Sequence, residues 1–343
     1  MSSSDRVQAA VDGLAAALGV AVLVEDPRFQ PLWWSAQGEA DGTRVRSILQ
    51  RAVDPAAAAL VMQWGLPTAE EPVRSPAVPE LDMAARWCVP LRSRGSLYGY
   101  LWVLDPVARV TEGLLPQLVA CSAQATECLV RQRRGEDERR NRRTALLERL
   151  RRHRDVAAAE ELLSVEELPE CTEVVVCVPA RAGGWELRGS MSAHTGPAPD
   201  GPPTSGPPVA LADLHVAVRR ARLVERVLRA GALLAEPTWS ALGSWHLIVA
   251  APDDLAVSDI HPAAEVLLGL PRPELAETAR MVLDLGGDIA RAADALHIHR
   301  TTLYYRLDRI QALTGVSLKD GTARDDLRGA LRLAAFRRAA ATS

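Results

Sequence analysis

The chain has 343 residues, of which 48% are hydrophobic and 24% are charged, and its net charge at pH 7 is −3. This length predicts two or three domains, and the apolar fraction is ample for globular cores. No apolar run reaches the ~20 residues of a membrane span, and the first residues lack the basic segment of a secretion signal, so a cytoplasmic protein with no membrane contact is expected.

The first 130 residues alternate between helical and extended patterns. The spacing of Val7, Val11, Leu14 and Leu18 predicts the first helix. Short apolar runs separated by turn residues then predict two hairpins with two helices between them. The predicted elements are strands at 20–25 and 29–34, helices at 44–51 and 56–64, a proline-rich loop, and strands at 87–91 and 97–103.

This order of elements is typical of a GAF or PAS sensor, and Val89-Pro-Leu followed by Gly99-Tyr-Leu-Trp-Val resembles the last two strands of a GAF domain. The resemblance implies a small-molecule site between the sheet and the intervening helices. Alternation places Tyr98, Tyr100 and Trp102 on one face of the last strand. The candidate lining residues are Trp33, Trp34, Trp64, Trp87, Tyr98, Tyr100 and Trp102. Core packing is the alternative for each of them, and a sensor that relays only protein contacts is equally permitted.

A helical pattern at 116–130 leads into the segment 131–143, which carries seven arginines and three acidic residues. Mixed-sign charge on a helix favours a solvated surface over a grip on DNA phosphates. Leu146, Leu147 and Leu150 continue an apolar stripe beyond the charges. Residues 131–164 are therefore predicted to be connector helices at which two subunits pair.

The middle region, residues 165–256, predicts an α+β domain. Its expected elements are strands at 173–178, 185–191 and 245–250, a helix at 211–230 and a mobile proline-rich loop at 196–208. Its strands carry neither a metal-binding carboxylate pair nor a glycine-rich phosphate loop. A structural or relay role is therefore favoured over an enzyme.

The five cysteines show no paired spacing and no accompanying histidine cluster. Neither a zinc site nor a disulfide framework is indicated, and no metal or other cofactor is expected. Cys121 and Cys128 are seven residues apart on one helical pattern and would share a face. Buried, inert thiols are favoured there over a subunit seam that cross-links on oxidation.

Two short helical patterns around a tight turn follow near the C terminus, as in a helix-turn-helix. Asp288 is a predicted N-cap for the first helix, whose apolar face includes Ala292 and Leu296. On the second helix, Leu303, Leu307 and Ile310 form the buried stripe. His299 or Thr301 can cap its start, and Gly315 can close its end.

The opposite face of the second helix carries hydroxyl and guanidinium groups that suit bases and phosphates. The candidate contacts to double-stranded DNA are Arg300, Thr301, Thr302, Tyr304, Tyr305, Arg306 and Arg309. Arg306 is expected to read a base, so that its replacement by alanine costs about 1 to 3 kcal/mol of specific binding. Arg309 is expected to bind phosphate.

The run His297-Ile-His-Arg-Thr-Thr-Leu-Tyr-Tyr-Arg-Leu-Asp-Arg-Ile, the Leu313-Thr-Gly-Val after it and the arginine- and leucine-rich helix at 325–337 resemble the C-terminal helix-turn-helix of PucR/CdaR-type bacterial transcription regulators. The resemblance implies a dimer, or a higher homo-oligomer, that binds an operator and responds to an effector. The middle region faintly resembles the degenerate cyclase-like module of the CdaR branch. The expected α+β multidomain fold has a GAF-like sensor at 1–130, connector helices at 131–164, the cyclase-like domain at 165–256 and an all-α helix-turn-helix domain at 257–343.

Charge agrees with this division, because residues 272–343 hold twelve basic and nine acidic residues, a net +3, which leaves −6 for the rest. Three alternatives stay open: a structural three-helix subdomain, a nucleotide-binding signalling protein or enzyme whose last helices serve only for interaction, and a protein-interaction adaptor. The Gly286-Gly-Asp-Ile sequence is also found in cyclic-dinucleotide synthases. It lies here between two helical patterns, which excludes that active site.

Overall fold

The computed structural model describes residues 2–36, 41–50, 53–198, 201–318 and 321–341, without the side chains of residues 47, 321, 322 and 341. The predicted α+β class is confirmed, since two sheets precede a C-terminal part made of helices. The chain divides into two units, residues 1–141 and 142–343. Among the described residues, no helix is both long and apolar enough to cross a membrane.

A five-stranded antiparallel sheet forms the centre of the N-terminal unit. Its strands are β1 (Val22–Glu25), β2 (Pro31–Trp34), β3 (Val73–Ser75), β4 (Arg86–Ser93) and β5 (Ser96–Leu104), in the order β2-β1-β5-β4-β3. Both predicted hairpins are confirmed. Strand β3 is an addition, because its surroundings are rich in proline and indicated only a loop.

Helices cover both faces of this sheet. On one face pack α1 (Ser3–Leu18) and the first half of α4 (Leu115–Leu150). On the other lie α2 (Gly42–Gln50) and α3 (Pro55–Gln63), where Val61 of α3 joins the core and Arg44 of α2 donates to the carbonyl oxygen of Val22. The predicted helices are confirmed, although Arg51, the expected end of α2, lies outside the described residues.

The cysteines are free thiols, and Cys171 alone of the five is exposed. Cys121 and Cys128 lie in the core of the N-terminal unit, 5% and 1% exposed, so the prediction of buried thiols is confirmed and a subunit seam at these residues is excluded. Burial raises the pKa of the Cys121 thiol to about 11 and raises the pKa of Cys88 well above its usual range. Thiolates are therefore scarce at these positions.

We expect a thiol reagent such as dithionitrobenzoate to modify one cysteine, Cys171, rapidly in the folded protein. The other four should react only after the chain is unfolded in urea, because they are buried. The number of thiols released at each stage measures this directly. Cys171→Ser is the control and should abolish the fast phase, whereas two or more fast thiols would contradict the described packing.

The second unit begins with the last turns of α4, followed by α5 (Val156–Val165) and a second antiparallel sheet. Its strands are β6 (Glu173–Cys177), β7 (Trp185–Leu187), β8 (Met191–His194) and β9 (Val209–Ala210), in the order β7-β8-β6-β9. Helix α6 (Leu214–Arg229) packs on this sheet. Leu146, Leu147 and Leu150 are buried in the same core, so they are not the free subunit-pairing stripe that the sequence predicts.

Two predicted strands of this unit are wrong. The run at 185–191 is not one strand, because the chain turns at Gly189 and Ser190, which have φ values of 85° and 51°, and forms the hairpin of β7 and β8. The run at 245–250 is helical, as α7 (Trp245–Val249). An apolar run this short does not distinguish strand from helix. Its side chains pack with helical residues, including Phe336.

The proline-rich segment at 196–208 has no helix or strand in its described residues, while residues 199 and 200 lie outside them. Its second half is nevertheless attached to β6. Thr204 and Ser205 are buried, the Thr204 hydroxyl donates to the Val176 carbonyl at 3.0 Å, and Ser205 Oγ accepts from the Val176 amide at 2.8 Å. These hydrogen bonds satisfy backbone groups at the edge of β6 that have no strand beside them among the described residues.

In the part of the second unit that the structure describes, α7 is followed by α8 (Val257–Ile260), α9 (Pro262–Leu268), α10 (Pro273–Asp284), α11 (Ile289–Ala295), α12 (Arg300–Thr314) and α13 (Gly321–Ala341). Helix α13 contributes to two cores. Leu327, Ala330 and Leu331 pack with α9, α10 and α12. Leu333, Phe336 and Ala339, further along the helix, pack with α6 and α7.

Candidate nucleic-acid interface and N-terminal cavity

Local sequence determines where α11 begins and ends. Gly286 and Gly287 have φ values of 70° and 87°, a conformation that disfavours residues with a Cβ. Asp288 then caps the helix, as predicted, because its carboxylate accepts from the amides of Ala290 and Arg291 at 3.0 and 3.1 Å. The helix ends at Ala295, and a turn at His297, with a φ of 53°, directs the chain into α12.

The start and end of α12 also follow the prediction. His299 is the N-cap, and its Nδ1 accepts from the Thr301 amide at 3.3 Å and lies 2.9 Å from the Thr301 hydroxyl. At the other end, Gly315 adopts the left-handed conformation, with its amide donating to the Gln311 carbonyl. Both caps are in the sequence that flanks the helix, so α12 has defined ends.

Helix α12 has one buried side and one exposed side. Leu303 and Ile310 are fully buried against α10 and the helices beside it, and Leu307 packs with them. The exposed residues of α12 are Arg300, Thr301, Thr302, Tyr304, Tyr305, Asp308, Arg309, Gln311 and Ala312. Tyr304 and Tyr305 are 53% and 67% exposed, large values for aromatic side chains in a folded unit. Six of the seven predicted DNA contacts are thus on the surface.

Arg306 is the predicted contact that is not on this face. Its side chain is partly buried, and Nη1 donates to the hydroxyl of Thr278 on α10 at 3.1 Å. Thr278 is fully buried and in turn donates to the Glu274 carbonyl at 2.6 Å. Arg306 therefore holds α12 against α10. A loss of DNA binding in Arg306→Ala would not identify a base contact, because the replacement also removes this support.

Two features of the helical region were not predicted from the sequence. Asp308 is exposed on α12 among the predicted contacts, where a carboxylate repels phosphate but can accept from the amino group of cytosine. Asp284, at the end of α10, forms ion pairs with Arg280 at 3.5 Å and Arg332 of α13 at 2.6 Å, and is only 4% exposed. Charge patterns along one chain segment could not reveal this pairing, because Arg332 is 48 residues away.

In the N-terminal unit, the predicted aromatic site is divided between the two faces of the sheet. Trp64, Tyr100 and Trp102 lie on the side of α3. Trp33, Trp87 and Tyr98 pack in the core on the side of α1 and α4. Trp34 is 40% exposed on the edge strand β2. A single pocket lined by all seven residues is therefore excluded.

The separation of Tyr98 from Tyr100 has a physical cause in the pairing of β4 with β5. Leu91 is opposite Gly99 but Arg92 is opposite Leu97, so Tyr98 is an extra residue in the register. An inserted residue of this kind interrupts the alternation of side chains. Gly99 is required beside it, because a Cβ at that position would collide with the Glu25 carbonyl oxygen.

A small cavity of about 30 Å³ lies between the sheet and the helices α2 and α3. Its lining combines the apolar side chains of Phe29, Trp64 and Trp102 with the charged side chains of Glu25, Arg44 and Arg86. Burial raises the pKa of Glu25 to about 8, against smaller opposing effects of the Trp102 indole and the Arg86 charge. Glu25 is therefore largely protonated at pH 7.

The two arginines of this cavity differ in their partners. Arg86 donates to the Asp41 carboxylate and, through Nε, to the Ala84 carbonyl at 3.0 Å. Arg44 uses only Nη2, which donates to the Val22 and Ser35 carbonyls at 3.2 and 2.8 Å. Its Nε and Nη1 are buried and have no hydrogen-bond partner among the described residues. Burial lowers the pKa of both arginines.

Comparison with known proteins identifies the helical region. Residues 275–333 match the family model described as the PucR C-terminal helix-turn-helix domain, which spans α10, α11, α12 and the first part of α13. Among solved structures, the chain is similar to a regulator of polyketide synthase expression from Bifidobacterium adolescentis, with 19% identity, coverage of 58% of this chain and 98% of that chain, and a TM-score of 0.25. No curated protein matches the chain.

Proposed function

We propose that this chain, which carries a PucR-type helix-turn-helix domain at residues 275–333, reads a specific operator through α12 under the control of its N-terminal unit. The domain makes the chain a DNA-binding transcription regulator. Such a role requires access to the chromosome and therefore a cytoplasmic location. The proposal adds which residues contact DNA and what controls them.

The exposed side of α12 is the observation that carries the proposal. In helix-turn-helix domains, the second helix enters the major groove and its N-terminal residues face the bases. Here Thr301, Thr302 and Tyr305 are exposed at that end, while Leu303 and Ile310 anchor the opposite side of the same helix. The hydroxyl groups can hydrogen-bond to bases and phosphates, and the threonine methyl can contact thymine.

The combined replacement Thr302→Ala and Tyr305→Ala should weaken specific DNA binding by about 1 to 3 kcal/mol, because it removes side chains that face the groove without touching the buried stripe. The operator is first selected from genomic fragments by the purified protein, and affinity is then measured by fluorescence anisotropy. Leu247→Ala, an exposed residue of α7 that is 75% accessible, is the matched control and should bind normally. Equal affinity of the double variant and the wild type would contradict the contact assignment.

Arg309→Ala should reduce the salt dependence of DNA binding, because each phosphate contact releases about 0.9 counterions per charge neutralised. The slope of log K against log salt concentration, measured by anisotropy over ~50 to 200 mM salt, should become shallower by about that amount. Arg28→Ala removes the same charge from an exposed turn of the N-terminal unit and serves as the control. An unchanged slope for Arg309→Ala would place this side chain away from phosphate.

For control of binding, we propose that a small molecule or a protein signal acts on the N-terminal unit and shifts the population of DNA-binding states. We also propose a homodimer, or a higher homo-oligomer, whose two copies of α12 read half-sites ~10 base pairs apart or a multiple of that distance. Leu146, Leu147 and Leu150 are occupied in the core, so pairing must use other surfaces. Light scattering, with and without operator, tests the oligomeric state.

We propose no catalytic role for the middle sheet. Purified protein incubated with GTP or with cyclic dinucleotides should leave them unchanged by chromatography. Turnover that survives further purification would revive the alternative of a signalling enzyme. If the purified protein retained no DNA at low salt, the alternative of a protein-interaction adaptor would be favoured.

A further inference from the structure

We propose that the cavity between the sheet and helices α2 and α3 of the N-terminal unit binds a small carboxylate, such as acetate or propionate, with Arg44 as the residue that holds its charge. This inference deepens the proposed control by a small molecule and rests on it for its biological role. The binding itself is independent of DNA and can be tested without it.

The first argument is the incomplete hydrogen bonding of Arg44. The side chain is 3% exposed, yet Nε and Nη1 have no partner among the described residues. Buried donors are rarely left unpaired, because each one loses its hydrogen bonds to water on burial. Both atoms belong to a residue that lines the cavity. A ligand with acceptor oxygens would satisfy them.

The second argument is the charge of the site. Arg44 and Arg86 contribute two positive charges, and Asp41, which pairs with Arg86, contributes one negative charge. Glu25 is largely uncharged at neutral pH, since its pKa is about 8. Among the described residues of the site, Asp41 acts on both arginines, and one net positive charge is therefore left in a buried place. A monoanion restores neutrality, and the carboxyl group of protonated Glu25 supplies a further hydrogen-bond donor.

The third argument is the size and lining of the cavity. Its volume of about 30 Å³ compares with roughly 10–15 Å³ for one water in the same measure, so it has the room of two or three waters as it stands. At roughly 30 Å³ of liquid volume per water, that room suits a carboxylate no larger than acetate or propionate. Phe29, Val61 and Trp64 provide apolar walls on the side of α3. Apolar walls suit a short alkyl chain and offer nothing to the remaining oxygens of sulfate or phosphate. Nucleotides and aromatic acids are too large.

The test titrates the full-length protein with sodium propionate, acetate, sulfate and benzoate at an ionic strength held constant with sodium chloride. Trp64 and Trp102 line the cavity, so tryptophan emission reports occupancy. Propionate and acetate should give a saturable change and raise the thermal unfolding temperature, as expected of a ligand that binds only the folded state. Sulfate and benzoate should match chloride alone.

Two variants locate the site. Arg44→Lys should weaken propionate binding more than 10-fold, because lysine keeps the charge but cannot reproduce the guanidinium contacts. Arg109→Lys makes the same change at a residue whose guanidinium lies at the surface and donates to the Gly19 carbonyl, and it should bind normally. Circular dichroism establishes that both are folded. If Arg44→Lys does not fold, the proposed ligand site is tested by the comparison of carboxylates with sulfate in the wild type.

The absence of a saturable response to either carboxylate in the wild type would overturn the proposal, as would an equal response to sulfate. Full propionate affinity in folded Arg44→Lys would overturn the role of Arg44. The same acids are then added to operator-binding assays. If they bind the protein but leave operator affinity unchanged, the ligand site stands and the proposed control fails. If the protein binds its operator but none of the acids, the proposed ligand site is wrong and the proposed DNA-binding function stands.

Discussion

Replacement of Glu25 by glutamine should stabilise the N-terminal unit by about 3 kcal/mol at pH 7, since each pKa unit corresponds to about 1.4 kcal/mol. The carboxyl group is 4% exposed, and its pKa rises from 4.5 to about 8 on folding. The folded state therefore holds a proton that the unfolded state releases above pH 4.5. Stability from this proton is complete below that pH and is lost as pH rises toward 8. Glutamine is neutral throughout and avoids the loss.

Urea unfolding followed by tryptophan emission at pH 5.5, 7 and 8 measures this effect. The difference between wild type and Glu25→Gln should increase with pH, whereas other titrating groups affect both proteins equally. Glu71→Gln, an exposed residue of the same unit, is the control and should show no such trend. Parallel stability curves for wild type and Glu25→Gln would mean that Glu25 keeps its charge when the protein folds.

Asp284→Asn should destabilise the second unit by about 3 kcal/mol, because removal of one member of a buried ion pair leaves its partners without compensation. The side chain of Asp284 is 4% exposed, and the side chains of the two arginines that it holds, Arg280 and Arg332, are 15% and 12% exposed. Arg332 also donates to the Ser244 hydroxyl at 2.7 Å and lies over the Trp245 ring. The carboxylate thus links the end of α10 to α13 and, through Arg332, to α7.

Urea unfolding at pH 7 gives the stability of this variant. Asp294→Asn, on the exposed side of α11, is the matched control and should change stability by less than about 0.5 kcal/mol. A similarly small change for Asp284→Asn would show that the two arginines find other partners or water. Since Asp284 is four residues before the cap of α11, the same variant should also weaken operator binding.

Features encoded by neighbouring residues could be predicted from the sequence. The caps of α11 and α12 depend on Asp288, His299 and Gly315, each adjacent to the helix that it closes. The exposed and buried sides of α12 follow from helical spacing alone. These local signals explain why the helix-turn-helix could be predicted, and six of the seven candidate DNA contacts are exposed on its second helix.

Features that depend on distant residues could not be predicted. The pairing of β4 with β5 determines that Tyr98 and Tyr100 lie on opposite faces, and no alternation within β5 reveals it. The helical state of Trp245 depends on its packing with α13, far along the chain. Arg306 resembles its exposed neighbours in sequence, yet Thr278 provides a partner 28 residues away.

The cavity residues are a similar case. Glu25 and Arg44 were not among the candidate ligand contacts, because a charged residue in a strand or on a short helix is normally exposed. Their burial results from the closure of α2 and α3 over the sheet. The sequence indicated a ligand site through its aromatic residues instead. Of those seven candidates, only Trp64 and Trp102 line this cavity.

The double role of α13 makes the helix-turn-helix region inseparable from the middle region. A fragment that begins at residue 257 would keep Leu327 and Leu331 in their core. It would expose Leu333 and Phe336 to solvent, because their partners on α6 and α7 would be missing. Such a fragment should aggregate unless a detergent or fusion partner shields that stripe. A movement of α6 must either move α13 with it or break the apolar contacts between the two helices. The middle region and the helix-turn-helix region are therefore mechanically coupled through α13.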